Sequence, residues 1–197
     1  NLIGVIVPKI SSETPARVVE GITEVLSPNG YDILIANTNL SIEKELEYLN
    51  IFKSNQVDGI IFMATKVTDK HIEVIRDLEV PIVVVAQDIE KFPSVYFDEF
   101  QATEDITNYL IAKGHKKIGY IGVYEEDKAV GLYRKQAYIE TLKNNNIEIN
   151  YENIKSGDFD EKSGYILTRE MMEGEDVPTA IVAVTDNLAL GAIEYLI

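Results

Sequence analysis

The sequence predicts an α/β protein built as two lobes, each a doubly wound parallel sheet with helices on both faces. Three observations carry this. Short β-branched runs recur along all 197 residues and are near-continuously apolar rather than alternating, the pattern of strands covered on both faces. Longer segments with helical spacing separate them, and strand–helix repeats with short connections mean a parallel sheet. The repetition breaks once, at "QDIEKFPSVYFDEF", where no full helix intervenes. A crossover near Phe97–Glu99 therefore divides the chain into an N-terminal lobe, 1–97, and a C-terminal lobe, 98–197, packed across a cleft.

In chain order the expected strands are Leu2–Val7, Asp32–Ala36, Gly59–Met63, Ile82–Ala86, Val95–Phe97, Lys117–Gly122, Ile154–Ser156 and Ala180–Val184. Thr14-Pro15 reads as the N-cap and first turn of a helix whose buried stripe is Val18, Ile22, Val25 and Leu26, with Gly30 just past its end. Ser41 caps the next helix, with Glu43 and Glu45 in its first turn favouring the helix dipole and Ile42, Leu46, Leu49 and Phe52 facing inward. Further helices are expected over 69–79, 99–113, 132–144, 161–173 and from 187 onward. Gly114 stops one of them, and Asp186 reads as the cap of the last.

Composition narrows the function classes. With 46% hydrophobic residues there is ample material for a core, and with no cysteine there is no disulfide scaffold or thiolate metal site. The formal charge of −15, from 33 acidic against 18 basic residues, repels a phosphate backbone, so this stretch by itself is not expected to grip nucleic acid. No apolar run approaches the ~20 residues that span a bilayer. "NLIGVIVP" lacks the basic flank of a signal peptide and reads as a strand already under way; both ends read as cut from a longer chain.

Ligands of open parallel sheets bind beyond the carboxyl ends of the strands. That rule selects Lys9–Ser12, Asn37–Asn39, Ala64–Lys66, Gln87-Asp88, Val123–Tyr133, Asp158-Phe159 and Thr185–Asn187, a set of hydroxyls, amides and carboxylates suited to a neutral, hydroxyl-rich ligand. The residues taken as ligand-binding are Ser11, Ser12, Gln87, Asp88, Phe97, Arg134, Phe159, Thr185 and Asp186. Arg134 can fork donors onto vicinal hydroxyls or a carboxylate, or pair with the acidic loop Glu125-Glu126-Asp127. Phe159 can stack on a sugar ring or fill a gap beneath its loop; Phe97 has the same two readings, burial in the crossover being the simpler. Asp186 can cap its helix and face the ligand at once.

Catalytic constellations are poorly represented. There is no G-x-G-x-x-G and no P-loop, and no serine on a nucleophile elbow. His71 and His115 are far apart, with His115 at the opposite end of its sheet, so no metal site is expected. "DFDE" at 158–161 lacks the spacing of a calcium loop and reads as strand end plus helix cap. No cofactor and no enzymatic activity are expected.

The stretches "LIGVIVPKIS", "VDGIIF", "YLIAKGHKKIGYIG", "RKQAYIETL", "GDFDEKSGY" and "PTAIVAVTDNLALGAI", spread in order over essentially the whole chain, resemble the effector-binding region of the LacI/GalR family of transcription regulators. The resemblance implies a periplasmic-binding-protein-like type I fold of two lobes joined by three crossovers. It also implies a helix-turn-helix head ahead of this chain and a return segment after it. It further implies a cytoplasmic homodimeric repressor in which a small sugar or sugar phosphate, bound between the lobes, controls operator DNA binding allosterically through that head. Arg134 matches the arginine that usually contacts a sugar hydroxyl, Phe159 the aromatic after "GD", and Asp186 the acidic half of the usual Asn-Asp step, whose first half here is Thr185. The family's Asp after the fourth strand is replaced by Ala86-Gln87-Asp88, and its Asp-x-Ser-Asn loop by Lys9-Ile10-Ser11-Ser12, so effector identity does not carry over. Lys9 and Lys66 leave room for a phosphorylated sugar. The rival reading is an extracytoplasmic sugar-binding protein of an ABC-type uptake system, which shares the fold.

Overall fold

In the computed structural model, which describes residues 1–89 and 91–197, the chain divides into two compact units, Asn1–Phe97 and Asp98–Ile197. The first holds β1 (Leu2–Val7), α1 (Glu13–Leu26), β2 (Asp32–Asn37), α2 (Ile42–Ser54), β3 (Gly59–Met63), α3 (Asp69–Arg76), β4 (Ile82–Val85) and β5 (Ser94–Val95). The second holds α4 (Glu99–Ala112), β6 (Ile118–Val123), α5 (Arg134–Asn144), β7 (Ile154–Gly157), α6 (Glu161–Met172), β8 (Ala180–Ala183) and α7 (Asp186–Leu196). Each unit is a parallel sheet with its helices, the α/β architecture that the sequence predicts.

The first sheet has the order β2-β1-β3-β4-β5, parallel at every pairing. The direction of winding reverses at β1, the switch point at which such sheets take ligands. Leu49 and Phe52 of α2 and Ile75 of α3 close one face over Ile6, Ile60, Phe62 and Val84. The other face departs from the expected double cover. Ile35, Val5, Ile61 and Val83 share it by register, yet Ile35 and Val83 remain 40% and 36% exposed. On α1, Val18, Ile22 and Leu26 are half-buried, whereas Val25 is exposed.

The second sheet has the order β7-β6-β8, also parallel. Every residue of β6 is buried, and alternation sends Tyr120 towards Tyr138 of α5 while Gly119 meets Met171 of α6. Gly119 is glycine for a reason of space: a Cβ there would come 2.4 Å from the Met171 sulfur.

Helix ends correct two readings. Ser12, not Thr14, is the N-cap of α1, because its extended backbone precedes the first helical residue, Glu13. Thr185, not Asp186, caps α7: it is extended at φ −140° and its Oγ1 accepts from Leu188 N at 3.3 Å, leaving Asp186 as the first helical residue. Ser41 caps α2 as expected, accepting from Lys44 N, and Gly114 ends α4 at φ 96°. Glu45 is no exposed dipole partner. It is buried.

Candidate functional site

All strands of each sheet run parallel, so within each unit the loops singled out from the sequence emerge at one edge. In the first unit this edge is held by backbone and amide contacts. Asn37 Oδ1 accepts from Ile10 N at 3.2 Å and its Nδ2 donates to Asn39 Oδ1 at 2.9 Å, tying the β1–α1 loop to the β2–α2 loop. Asn39 and Leu40 sit at φ 51° and 64°, in the left-handed region that non-glycine residues adopt at a cost. Ala86, at φ 72°, turns the chain out of β4 and brings Gln87 back over β3, where Nε2 donates to Thr65 O at 3.1 Å. Gln87 is buried, so its carboxamide joins two loops. Ser11 and Asp88 are exposed, and Ser12 half-buried. Phe97 is 74% exposed, which overturns the reading of it as crossover core.

Beneath these loops lies a buried polar pair. His71 Nδ1 accepts from Thr68 N at 3.1 Å, which leaves the ring proton on Nε2. Nε2 lies 3.1 Å from Glu45 Oε2, close but off the line of a hydrogen bond. Both side chains are essentially sealed from solvent, and the imidazole stacks on Phe62 at 5.6 Å between centroids. The pair links α2 to the capped start of α3, and so braces two of the loops above it.

In the second unit three loops converge around Arg134. Its Nε donates to Glu99 Oε2 at 2.7 Å, its Nη2 lies 2.5 Å from the same oxygen, and its Nη1 donates to the carbonyl of Val184. Glu99, the first residue of α4, thus balances Arg134, and not the acidic loop, the alternative partner read from the sequence. Glu125 of that loop instead takes Lys135, at 2.7 Å. Val184 directly precedes Thr185 and Asp186, and Asn187 Nδ2 donates to the carbonyl of Phe159 at 3.1 Å, closing the β7–α6 and β8–α7 loops on each other. Asp160 caps α6 through Ser163 N at 2.8 Å. Arg134, Phe159, Thr185 and Asp186 are therefore brought to one end of this unit. Phe159 is 40% exposed, and Asp186 is exposed.

A turn of π-helix, Lys128–Tyr133, delivers Arg134 to this edge; such turns are rare and gather at functional sites. Gly131 permits it, since a Cβ there would stand 2.1 Å from the Tyr124 carbonyl oxygen. Below, Tyr120 and Tyr138 pack at 4.9 Å, and burial raises the pKa of both phenols. Tyr138 donates to Ile118 O at 2.6 Å, whereas the buried Tyr120 hydroxyl has no hydrogen-bond partner among the described residues.

A groove of about 580 Å³ in this unit lies at the opposite edge, lined by Lys117, Asn150, Asn153 and Asp176 among others. These four polar groups are committed to one another. Asp176 takes Lys117, Asn150 Nδ2 at 3.1 Å and, on its backbone carbonyl, Asn153 Nδ2 at 2.7 Å, and the first two hold its carboxyl below the ordinary value. His115, half-buried near this edge, pairs with Thr179 Oγ1 at 2.9 Å. We therefore place the candidate site at the carboxyl ends of the strands.

Glu99 was not legible as a site residue, since it stands 35 positions from Arg134 and reads as an ordinary first-turn acid. Asn187 was missed for its role as a tie between loops. Among the described residues no three or more His, Cys, Asp or Glu side chains gather as a metal site, and no helix is long and apolar enough to cross a membrane.

Residues 1–196 match the family described as periplasmic binding proteins and the sugar-binding domain of the LacI family. The chain is 33% identical over 195 residues to the sucrose operon repressor of Staphylococcus xylosus, covering 99% of this chain and 60% of that protein. It is 34% identical over 193 residues to catabolite control protein A of Priestia megaterium, covering 97% and 58%. The chain thus spans about 60% of the length of these curated relatives. Among solved structures it resembles the transcription regulator CcpA of Lactococcus lactis, with a TM-score of 0.89 and 30% identity over 100% of this chain and 72% of that one.

Proposed function

The chain belongs to the family of periplasmic binding proteins and LacI-type sugar-binding domains, and from that membership we propose that it is the effector-binding part of a sugar-responsive transcriptional repressor. The observation that carries this reading is the convergence of Arg134, Phe159, Thr185 and Asp186 on one edge of the second unit. There, the remaining guanidinium N–H groups, an aromatic face and a carboxylate supply what a small carbohydrate needs: donors for its hydroxyl oxygens, a surface for its C–H face, and an acceptor for hydroxyl protons. Ser11, Ser12, Asp88 and Phe97 are the residues of the first unit we assign to the same ligand, with Gln87 shaping their loop.

The protein binds its effector without turning it over. It acts in the cytoplasm as a homodimer and reads operator DNA through a domain outside this stretch; the −15 charge of the stretch suits it to sensing rather than to DNA contact. The effector shifts DNA affinity only through its unequal affinity for two arrangements of the protein, a coupling of about 1–3 kcal/mol. The relatives named as repressors support this over an uptake component.

Calorimetric titration of the intact protein with sucrose, glucose and their phosphates, followed by operator-fragment binding with and without the sugar that binds, tests the reading. Saturable binding that changes DNA affinity is expected. Sugar binding with no DNA affinity under any condition would move the protein to the transport class.

A further inference from the structure

The charge of the effector is written into the contacts of Arg134. A guanidinium has five N–H donors in a planar fork, the geometry that grips carboxylate or phosphate. Here Nε and Nη2 already grip Glu99, and Nη1 is held by the Val184 carbonyl. The pair is largely withdrawn from solvent, with Arg134 and Glu99 side chains 25% and 11% exposed. The neighbouring cation, Lys135, is matched by Glu125. Around them the same edge carries Glu126, Asp158 and Asp186 against Lys128, all exposed. A phosphate arriving at Arg134 must displace Glu99 and enter a field that is already negative. A hydroxyl needs only a remaining guanidinium N–H as donor and a carboxylate as acceptor.

We propose that Glu99 is a specificity-determining residue: by neutralising Arg134 it makes this edge select an uncharged polyhydroxy effector and reject its phosphorylated or carboxylated analogues. The inference rests on the carbohydrate reading above and narrows it to neutral sugars. Lys9 and Lys66, exposed on the first unit, are then surface lysines rather than a phosphate cradle.

The test compares the intact wild-type protein with E99Q and E99D. Inorganic phosphate at low ionic strength, against matched chloride, should raise the melting temperature of E99Q and leave wild type and E99D unmoved, because only E99Q frees the Arg134 charge. Calorimetry with glucose and glucose 6-phosphate should show wild type preferring glucose, and E99Q shifting that ratio towards the phosphate by roughly tenfold or more, as expected for removal of one charge a few ångströms away. An E99Q protein that ignores inorganic phosphate overturns the proposal, whatever the sugars do. If E99Q responds to phosphate while no sugar binds either protein, charge selection by Glu99 stands and the carbohydrate reading falls for the sugars tried. Should E99Q fail to fold, wild type decides: without a preference for glucose over glucose 6-phosphate the proposal is lost.

Discussion

Gly191 in α7 lies against Glu161 in α6 so closely that a Cβ on it would stand 1.8 Å from the Glu161 carbonyl oxygen. Gly164 returns the relationship, its missing Cβ being 2.3 Å from the carbonyl oxygen of Leu188. Two helices thus meet backbone to backbone, and the loops that start them, carrying Phe159 and Thr185, are held together. Gly191→Ala should cost about 1–3 kcal/mol or more, since backbone cannot move aside as a side chain can. Gly21→Ala, in an exposed stretch of α1 with nothing within 4 Å, should stabilise by about 0.5–1 kcal/mol. Urea titration of both variants measures the contrast.

Arg134→Ala should weaken sugar binding by about 1.5–3 kcal/mol, the range of a hydrogen bond from a charged donor. Titration calorimetry reads this directly, and unchanged affinity would remove Arg134 from the site. Lysine should not restore the loss, because a point charge lacks the fork that joins Glu99 to the Val184 carbonyl.

Phe159→Ala separates two roles of one ring. Being 40% exposed, the ring contributes little to the core, so melting temperature should change by only a few degrees while sugar affinity falls. A large drop in melting temperature with affinity retained would identify the ring as support for its loop.

β1, β3, β4, β6 and β8 were legible because each is a short apolar run, whereas β5, expected at Val95–Phe97, lies at Ser94–Val95, where a half-buried and an exposed residue leave little mark on composition. Helix ends were less so. Thr185 and Asp186 are both good capping residues, and only the backbone dihedrals choose between them. The relationships that organise the site were not legible at all. Glu45 and His71 read as a first-turn acid and an isolated histidine, since nothing local records that α2 and α3 press them together. Glu99 and Arg134 were hidden in the same way. The convergence of Arg134, Phe159 and Asp186 was anticipated from the parallel-sheet rule, which works because topology fixes which ends of strands meet.

The tyrosine pair supplies a pH prediction. Burial raises both phenols above the ordinary value of 10.0, so the stability they contribute in neutral form is complete below about pH 10 and is lost as pH rises beyond it. Thermal scans from neutral to strongly alkaline solution should show that fall, and Tyr120→Phe should make it shallower. At neutral pH Tyr138→Phe should cost about 1 kcal/mol by removing the bond to Ile118 O. Tyr120→Phe should be neutral or stabilising, since its hydroxyl forfeits no partner.

Removing His71 alone, as His71→Leu, leaves the Glu45 carboxyl sealed beside an apolar group and should cost about 1–3 kcal/mol. The double variant with Glu45→Met should recover part of that loss. Simple additivity in denaturant titration would mean that the two side chains do not sense each other.

The π turn before α5 sets a rule for insertions and deletions. Such a turn holds one residue more than an α-helical turn, so losing any residue between Lys128 and Tyr133 would let it relax to ordinary winding. Each residue advances a helix by about 100°. Descendants of this gene can therefore lose one codon there and keep the guanidinium on the edge it serves, whereas losing one codon inside α5 would swing every side chain beyond it by about a quarter-turn.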